Sequence, residues 1–160
     1  MNLQEEILKI KNEMIDEFDK RVEALKVDEQ EFPKRGDDYW YIYDDGDVFS
    51  TFYNNNHIDR YRQTMGNIFR TKEQAEFAVE KLKVEAELRK FSTSFKEGKN
   101  NYFMVIDTNY ASVDILGMSY SRVQGVIYFE SAEKAEEAIE VVGTERIKKY
   151  IFGVEDLIND

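Results

Sequence analysis

Two stretches of the sequence echo each other: Gly66-Asn67-Ile68-Phe69-Arg70-Thr71-Lys72-Glu73-Gln74-Ala75-Glu76-Phe77-Ala78-Val79 and Gly125-Val126-Ile127-Tyr128-Phe129-Glu130-Ser131-Ala132-Glu133-Lys134-Ala135-Glu136-Glu137-Ala138-Ile139. The shared Glu and Ala positions recur sixty residues later, and the opening glycine recurs fifty-nine residues later. Solenoids need three or more repeats to be stable. The pair therefore indicates a compact, pseudo-symmetric arrangement of two copies of one unit.

The residues upstream of each glycine predict a pair of strands. In the first copy, Tyr39-Trp40-Tyr41-Ile42-Tyr43 has strand propensity, Asp44-Asp45-Gly46-Asp47 has the composition of a tight turn, and residues 48–53 predict the returning strand. In the second copy, Asn101-Tyr102-Phe103-Met104-Val105 matches the first strand. Each copy is thus expected to hold two strands, a third strand opened by glycine, and a helix.

The first repeat helix is expected to start after a Thr71 cap, with Gln74 at the third position, and to run to about Phe91. It carries two opposed apolar stripes. The small one (Ala75, Ala78, Val79, Leu82, Ala86) suits packing on a sheet, and the large one (Phe77, Val84, Leu88, Phe91) needs a second partner. The second repeat helix is expected to stop at Gly143, where Thr144 caps a final segment through Phe152.

Residues 3–27 have the apolar spacing of an amphipathic helix. A helix with one apolar stripe is unstable alone in water. We expect this helix to dock on Phe77, Val84, Leu88 and Phe91, either within the chain or across a homodimer.

These patterns predict an α+β fold class: an N-terminal amphipathic helix followed by two copies of a strand-strand-strand-helix unit with antiparallel sheets. The predicted limits are 1–30 for the N-terminal helix, 31–97 for the first unit, and 98–160 for the second unit with its short C-terminal helix.

The composition argues against several classes of chemistry. The chain has no cysteine and one histidine, and its eight glycines do not form a phosphate-binding loop. Asp44-Asp45-Gly46-Asp47 lacks the ligand spacing of a calcium loop. His57 beside Asp59 is interpreted as a loop histidine rather than a general base. We therefore expect no enzyme activity, catalytic residue, metal or cofactor.

The net charge of −11 is unevenly placed, with −5 in residues 1–31, 0 in residues 32–100 and −6 in residues 101–160. An acidic surface repels phosphate backbones, although it also serves solubility alone. No stretch is apolar enough for a membrane span, and the N-terminal residues are acidic where a signal peptide is basic. We expect a cytoplasmic protein with no membrane partner.

Two sets of side chains are candidates for interaction. The first is a basic and aromatic cluster, since Arg and Tyr are common both at interface hot spots and in nucleic-acid contacts; the alternative is that they solvate a sheet rim. Its members are Arg60, Tyr61, Arg62, Arg70 and Lys72, with Tyr120 and Arg122 as counterparts. The second set is acidic: Glu6, Glu13, Asp16, Glu23, Glu133, Glu137 and Glu140.

Four stretches of the chain (Tyr39 to Ile42, Gly66 to Phe69, Thr71 to Phe77 and Glu145 to Glu155) resemble a family of small acidic proteins encoded by phages and prophages of Gram-positive bacteria. The resemblance implies a bacterial host cell and a context in which such proteins inhibit host enzymes or defence systems, as anti-CRISPR proteins do. It brings no functional residues. Each half also resembles the arm-binding module of phage integrases, in which three strands and a helix bind DNA.

The first functional hypothesis is a non-enzymatic phage protein that binds and inhibits a bacterial host protein, including one that itself binds nucleic acid, by using acidic surfaces. Direct binding of duplex DNA is not expected, because the acids around the few arginines repel phosphates. The alternative is a nucleic-acid-binding module that uses the first sheet and its Arg and Tyr cluster.

Overall fold

The computed structural model describes residues 9, 11, 13–20 and 32–154. Its first helical segment covers residues 13–20 and is called α1. The elements that follow are β1 (Asp38–Ile42), β2 (Val48–Phe52), α2 (His57–Thr64), α3 (Lys72–Arg89), β3 (Asn101–Asp107), β4 (Ser112–Met118), α4 (Ala132–Val142) and α5 (Thr144–Phe152). The chain divides into two compact units, with the boundary between Ala75 and Glu76 inside α3.

In the first unit, β1 and β2 form an antiparallel hairpin in which Tyr41 lies opposite Phe49. The turn that Asp45-Gly46 predicts is present. Gly46 has a φ of +89°, which a residue with a side chain rarely adopts. The Tyr43 N–H donates to the Asp47 carbonyl at 2.8 Å, so the hairpin closes directly after Tyr43.

The predicted three-strand units are wrong, because each sheet in the described part of the chain has two strands. The third segments contact the sheets through single bridges, Phe69 with Trp40 and Phe129 with Tyr102. In the first unit a side chain occupies the next pairing position: the Asn67 amide accepts from the Ile42 N–H and donates to the Ile42 carbonyl, both at 2.8 Å. A side chain in that position ends the backbone ladder.

Helix α2 is a second departure from the predicted order, because no helix was expected between the returning strand and Gly66, and the corresponding part of the second unit has none. Asn56 caps α2, since its side-chain oxygen accepts from the Ile58 and Asp59 N–H groups. The Asp59 carboxylate in turn accepts a hydrogen bond from the Asn56 N–H at 3.2 Å. The spacing of Asn56 and Asp59 is that of a capping box, a local signal in the sequence.

The second unit has the larger apolar core. β3 and β4 pair antiparallel over seven residues, and one sheet face packs on helices. The buried members of this core come from α3, β3, the bridging segment and the two C-terminal helices: Val84, Leu88, Met104, Phe129, Ala135, Ala138, Val142 and Ile147. Arg146 of α5 joins α3 through a forked ion pair with Glu87, at 2.9 and 3.1 Å.

The roles predicted for the two stripes of α3 are partly wrong. Ala75 and Val79 of the small stripe are buried, but Leu82 is 56% exposed and Ala86 is also exposed. Val84 and Leu88 of the large stripe lie in the core of the second unit. The large stripe therefore finds its partner in residues 76–154, where Val84 and Leu88 belong to one core with residues of β3, α4 and α5.

The helix ends at the C-terminus are close to those predicted, with one correction. α4 ends before Gly143 as expected, and α5 ends at Phe152 before Gly153. Thr144 is the first residue of α5 rather than its cap; Gly143, with a φ of +96°, holds the cap position without a side-chain hydrogen bond.

The predicted N-terminal helix lies mostly outside the described residues. Where it is described, residues 13–20 are helical and exposed, and Met14 and Phe18 are 67% and 66% exposed. Val84 and Leu88 lie in the core of the second unit; docking of this helix on them within the chain involves residues outside the described ranges and stays a prediction. Docking across a homodimer stays a prediction for the remaining residues, as do the predicted limits 1–30, 31–97 and 98–160.

Two leucines of α3 test the assignment of its stripes. Leu88 is 2% exposed, so Leu88→Ala removes buried methyl groups and leaves a cavity; the free energy of unfolding should fall by about 2 to 5 kcal/mol. Leu82→Ala is the matched control on the same helix and should change it by less than about 1 kcal/mol. Urea unfolding followed by circular dichroism measures both. Equal effects of the two substitutions would contradict this packing.

Candidate interaction site

A buried carboxylate organises the first unit. Asp59 of α2 is 2% exposed, and its Oδ1 accepts the Tyr39 hydroxyl at 2.8 Å. Its Oδ2 accepts the N–H groups of Asn54 and Asn56, at 2.9 and 3.2 Å. One side chain therefore caps α2, holds the loop before it, and ties the helix to strand β1.

These hydrogen bonds also set the ionisation of the network. Burial alone raises the pKa of a carboxyl, but the bonds from Tyr39, Asn54 and Asn56 outweigh it and lower the pKa of Asp59 below its ordinary value. Burial chiefly raises the pKa of Tyr39. At neutral pH the pair is thus a charged carboxylate and a neutral phenol, which is the donor and acceptor arrangement that the geometry requires.

Arg62, one turn after Asp59 on α2, completes the network. Its Nη1 donates to the Tyr39 hydroxyl at 2.9 Å, and its guanidinium carbon lies 3.3 Å from the centre of the Tyr41 ring. A guanidinium stacked on an aromatic face is both attracted by the ring and held in one orientation. Arg62 therefore fixes the position of Tyr41 on the outer part of the hairpin.

A row of aromatic rings leads from this network to the surface. Tyr53 and Tyr39 are buried, and the ring centres then run from Tyr39 to Tyr41 at 6.1 Å, to Phe49 at 6.2 Å and to Tyr43 at 5.9 Å. The exposed end is formed by Tyr43, 52% exposed, and Phe49, 45% exposed. We call Tyr41, Tyr43, Phe49 and Arg62 the aromatic face.

Three carboxylates border the aromatic face at the hairpin tip. Asp44, Asp45 and Asp47 are exposed and directly follow Tyr43. Asp45 accepts the Asp47 N–H at 3.0 Å, which is a turn contact rather than a ligand site. No group of three or more His, Cys, Asp or Glu side chains in the described ranges is placed to hold a metal ion.

The structure separates the predicted basic and aromatic cluster. Of its members, Arg62 is built into the aromatic face, whereas Tyr61 is 70% exposed and makes an edge contact with His57 at 6.4 Å. His57 is the first residue of α2, not a loop residue. Arg60 is exposed on α2.

The second-copy counterparts lie in the second unit. Tyr120 is 80% exposed, and Arg122 lies over the Phe95 ring at 5.1 Å. Residues 119–131 form no helix, so these two side chains have a different setting from Tyr61 and Arg62.

The predicted acidic residues lie on two helical surfaces as far as they are described. Glu133, Glu137 and Glu140 are exposed on α4, whose buried face is formed by Ala135, Ala138 and Val142. Glu13 and Asp16 are exposed on α1. Glu6 and Glu23 lie outside the described residues.

Most of the net charge lies outside residues 32–154. That range holds 20 acids and 17 bases, a net −3, whereas the other 37 residues hold 13 acids and 5 bases, a net −8. Residues 32–154 are therefore close to neutral, and α4 is a local acidic surface, with four Glu and one Lys in eleven residues.

Comparisons with known proteins assign no relative, since the chain matches no protein family, no curated protein and no solved structure. None of the helices in the described ranges combines the length and the apolarity needed to cross a bilayer.

Sequence reasoning singled out Arg62 but missed the other residues that build the site. Asp59 was considered only as a neighbour of His57, although the Asn56-to-Asp59 spacing is a capping signal. Tyr43 continues the period-two alternation of Tyr39 and Tyr41, and Phe49 joins them because hairpin pairing places it opposite Tyr41. The stack of Arg62 on Tyr41 joins two elements, so no local pattern contains it.

Asp59→Asn tests the carboxylate. An amide has one acceptor oxygen, so at least one of three buried donors loses its partner and the free energy of unfolding should fall by about 2 kcal/mol or more. The pKa of Asp59 is lowered in the folded state, so the advantage of the wild type is present above the ordinary value of 3.8 and shrinks as pH falls below it.

Asp38→Asn is the control for this comparison, because Asp38 is exposed at the start of β1. Urea unfolding between pH 3 and pH 7 measures the free energy of unfolding of the wild type, Asp59→Asn and Asp38→Asn. A constant difference between wild type and Asp59→Asn across that range would contradict a charged Asp59.

Proposed function

We propose that the protein is a non-enzymatic binding protein that docks its aromatic face on a bacterial protein and thereby blocks that protein. The observation that supports this most is the exposed end of the aromatic row, where Tyr43 and Phe49 stand on a hairpin held by Arg62 and Asp59. Exposed aromatic residues with a nearby arginine are typical of interface hot spots, and a preformed face loses little entropy on binding.

The charges around the face favour a protein partner over a nucleic acid. Asp44, Asp45 and Asp47 stand beside Tyr43, and a phosphate backbone approaching it meets their repulsion. Arg62 is already engaged by Tyr39 and Tyr41, so a phosphate would have to replace those contacts. A protein with an apolar pocket and basic residues at its edge is complementary to both the rings and the carboxylates.

The acidic surface of α4 has a separate role in this proposal. Glu133, Glu137 and Glu140 are exposed, and charges on a protein surface act mainly on the rate of encounter with an oppositely charged partner. A basic groove that normally holds nucleic acid is such a partner. The resemblance of the sequence to small phage proteins supports a host enzyme or defence protein as the target.

Nucleic-acid binding is the second candidate, because bases stack on exposed rings and Tyr43 and Phe49 offer such rings. This candidate concerns single strands, since stacking on these rings requires unpaired bases. It predicts binding that weakens steeply with salt, whereas binding through apolar contacts depends less on salt.

Affinity capture from the lysate of a Gram-positive bacterium separates the two candidates. The nuclease-treated lysate should still yield a protein bound to the wild type, and Tyr43→Ser with Phe49→Ser should weaken its binding by about tenfold or more for each ring. Tyr110→Ser is the control, because Tyr110 is 82% exposed in the turn between β3 and β4. Capture that survives the double substitution, or that is lost with nuclease, would contradict the proposal.

Charge reversal tests the role of α4. Changing Glu133, Glu137 and Glu140 to Lys should slow association with the captured protein by about tenfold at low salt, and the effect should shrink at high salt as charges are screened. The control reverses three exposed acids elsewhere, Asp38, Glu97 and Asp114, and thus has the same net charge. Surface plasmon resonance measures the rates. Equal slowing in both variants would assign the effect to net charge alone.

A further inference from the structure

The second unit contains a cavity of about 240 Å³ that the proposed function does not use. Its floor is formed by Leu88, Met104 and Phe129, which are buried in the core. Half-buried Ile127 and Phe152 form its walls. An engineered apolar cavity of about 150 Å³ is sufficient to bind benzene. The volume here therefore accepts one aromatic ring with a short side chain.

The mouth of the cavity carries a line of charged residues on α3. Lys81, Glu85 and Arg89 follow one another at intervals of four residues and all line the opening. Arg89 pairs with Glu85 at 2.9 Å, while Lys81 is exposed and forms no ion pair with the described residues. The charges of the described lining residues therefore sum to +1, and a ligand with one negative charge complements them.

We propose that this cavity binds a small amphipathic carboxylate, with an aromatic ring in the cavity and the carboxylate at Lys81. The ring is removed from water against Leu88, Met104 and Phe129, which supplies most of the binding free energy. The carboxylate stays at the mouth, where Lys81 attracts it. Glu85 does not oppose it strongly, because its charge is neutralised by Arg89.

The probe for this site is 3-phenylpropionate, and its neutral amide is the matched ligand control. In a ¹H–¹⁵N NMR titration, the probe should shift the backbone signals of Val126, Ile127 and Ile151, with a Kd of about 1 mM or tighter for its eleven heavy atoms. The amide should bind about threefold more weakly, because it lacks the charge that an exposed lysine attracts.

Two variants separate the apolar and the charged parts of the site. Lys81→Gln should weaken the binding of 3-phenylpropionate about threefold. Lys83→Gln should leave its Kd unchanged, because Lys83 lies two residues along the helix and pairs with Glu80. Val126→Phe places a ring in the cavity and should abolish binding. Because Lys81 is exposed, its variant tests the site even where Val126→Phe fails to fold.

Three outcomes would overturn the proposal: no saturable shifts with the probe, equal binding of acid and amide, or equal effects of the two lysine variants. A dimer that dissociates in Val126→Phe would overturn it too, since a second copy of the chain would then be the occupant. The titration needs no captured partner, so its result and that of the capture experiment are independent.

Discussion

The carboxylate of Asp59 is the constraint on which the first unit depends. This unit has few buried apolar side chains, and among residues 32–75 the buried ones are Tyr39, Tyr53, Asp59 and Ala75. A buried charge is costly unless donors surround it. Three donors aimed at Asp59 meet that requirement and in doing so fix the loop, the helix and the hairpin relative to each other. The aromatic face is rigid because Arg62 and Tyr39 belong to the same network.

The second unit is held by apolar packing instead. Val84 and Leu88 of α3 pack with Met104 of β3, Phe129 and the small residues of α4, where alanines let the helix approach the sheet. The Arg146 and Glu87 pair, which lowers the pKa of Glu87 through its hydrogen bonds, adds a polar tie at the edge of this core. The two units thus use different means to stabilise a two-stranded hairpin: a hydrogen-bonded carboxylate in the first and apolar packing on helices in the second.

The distribution of charge bears on the proposed binding of a protein partner. Since residues 32–154 carry only −3 of the total of −11, the acidic surface within that range is local: the hairpin tip beside Tyr43 and the outer side of α4. Local charges beside apolar anchors favour one orientation of a partner, whereas a uniformly acidic surface only repels anions. This arrangement agrees with a protein that binds another protein by shape and uses carboxylates to orient it.

The sequence by itself determined the local features: the hairpin at Asp45-Gly46, the Thr71 cap, the break at Gly143 and the end of α5, because turn geometry and capping depend on neighbouring residues. The start of α2 is also a local feature, because the spacing of Asn56 and Asp59 is that of a capping box, although the sequence analysis did not predict this helix. Only the tertiary structure decided that Asn67 replaces a third strand, that Leu88 rather than Leu82 enters the core, and that Arg62 stacks on Tyr41. Each of these joins residues distant in sequence or chooses between two apolar faces of one helix, and such choices depend on the volume and the hydrogen-bond donors that the rest of the fold presents.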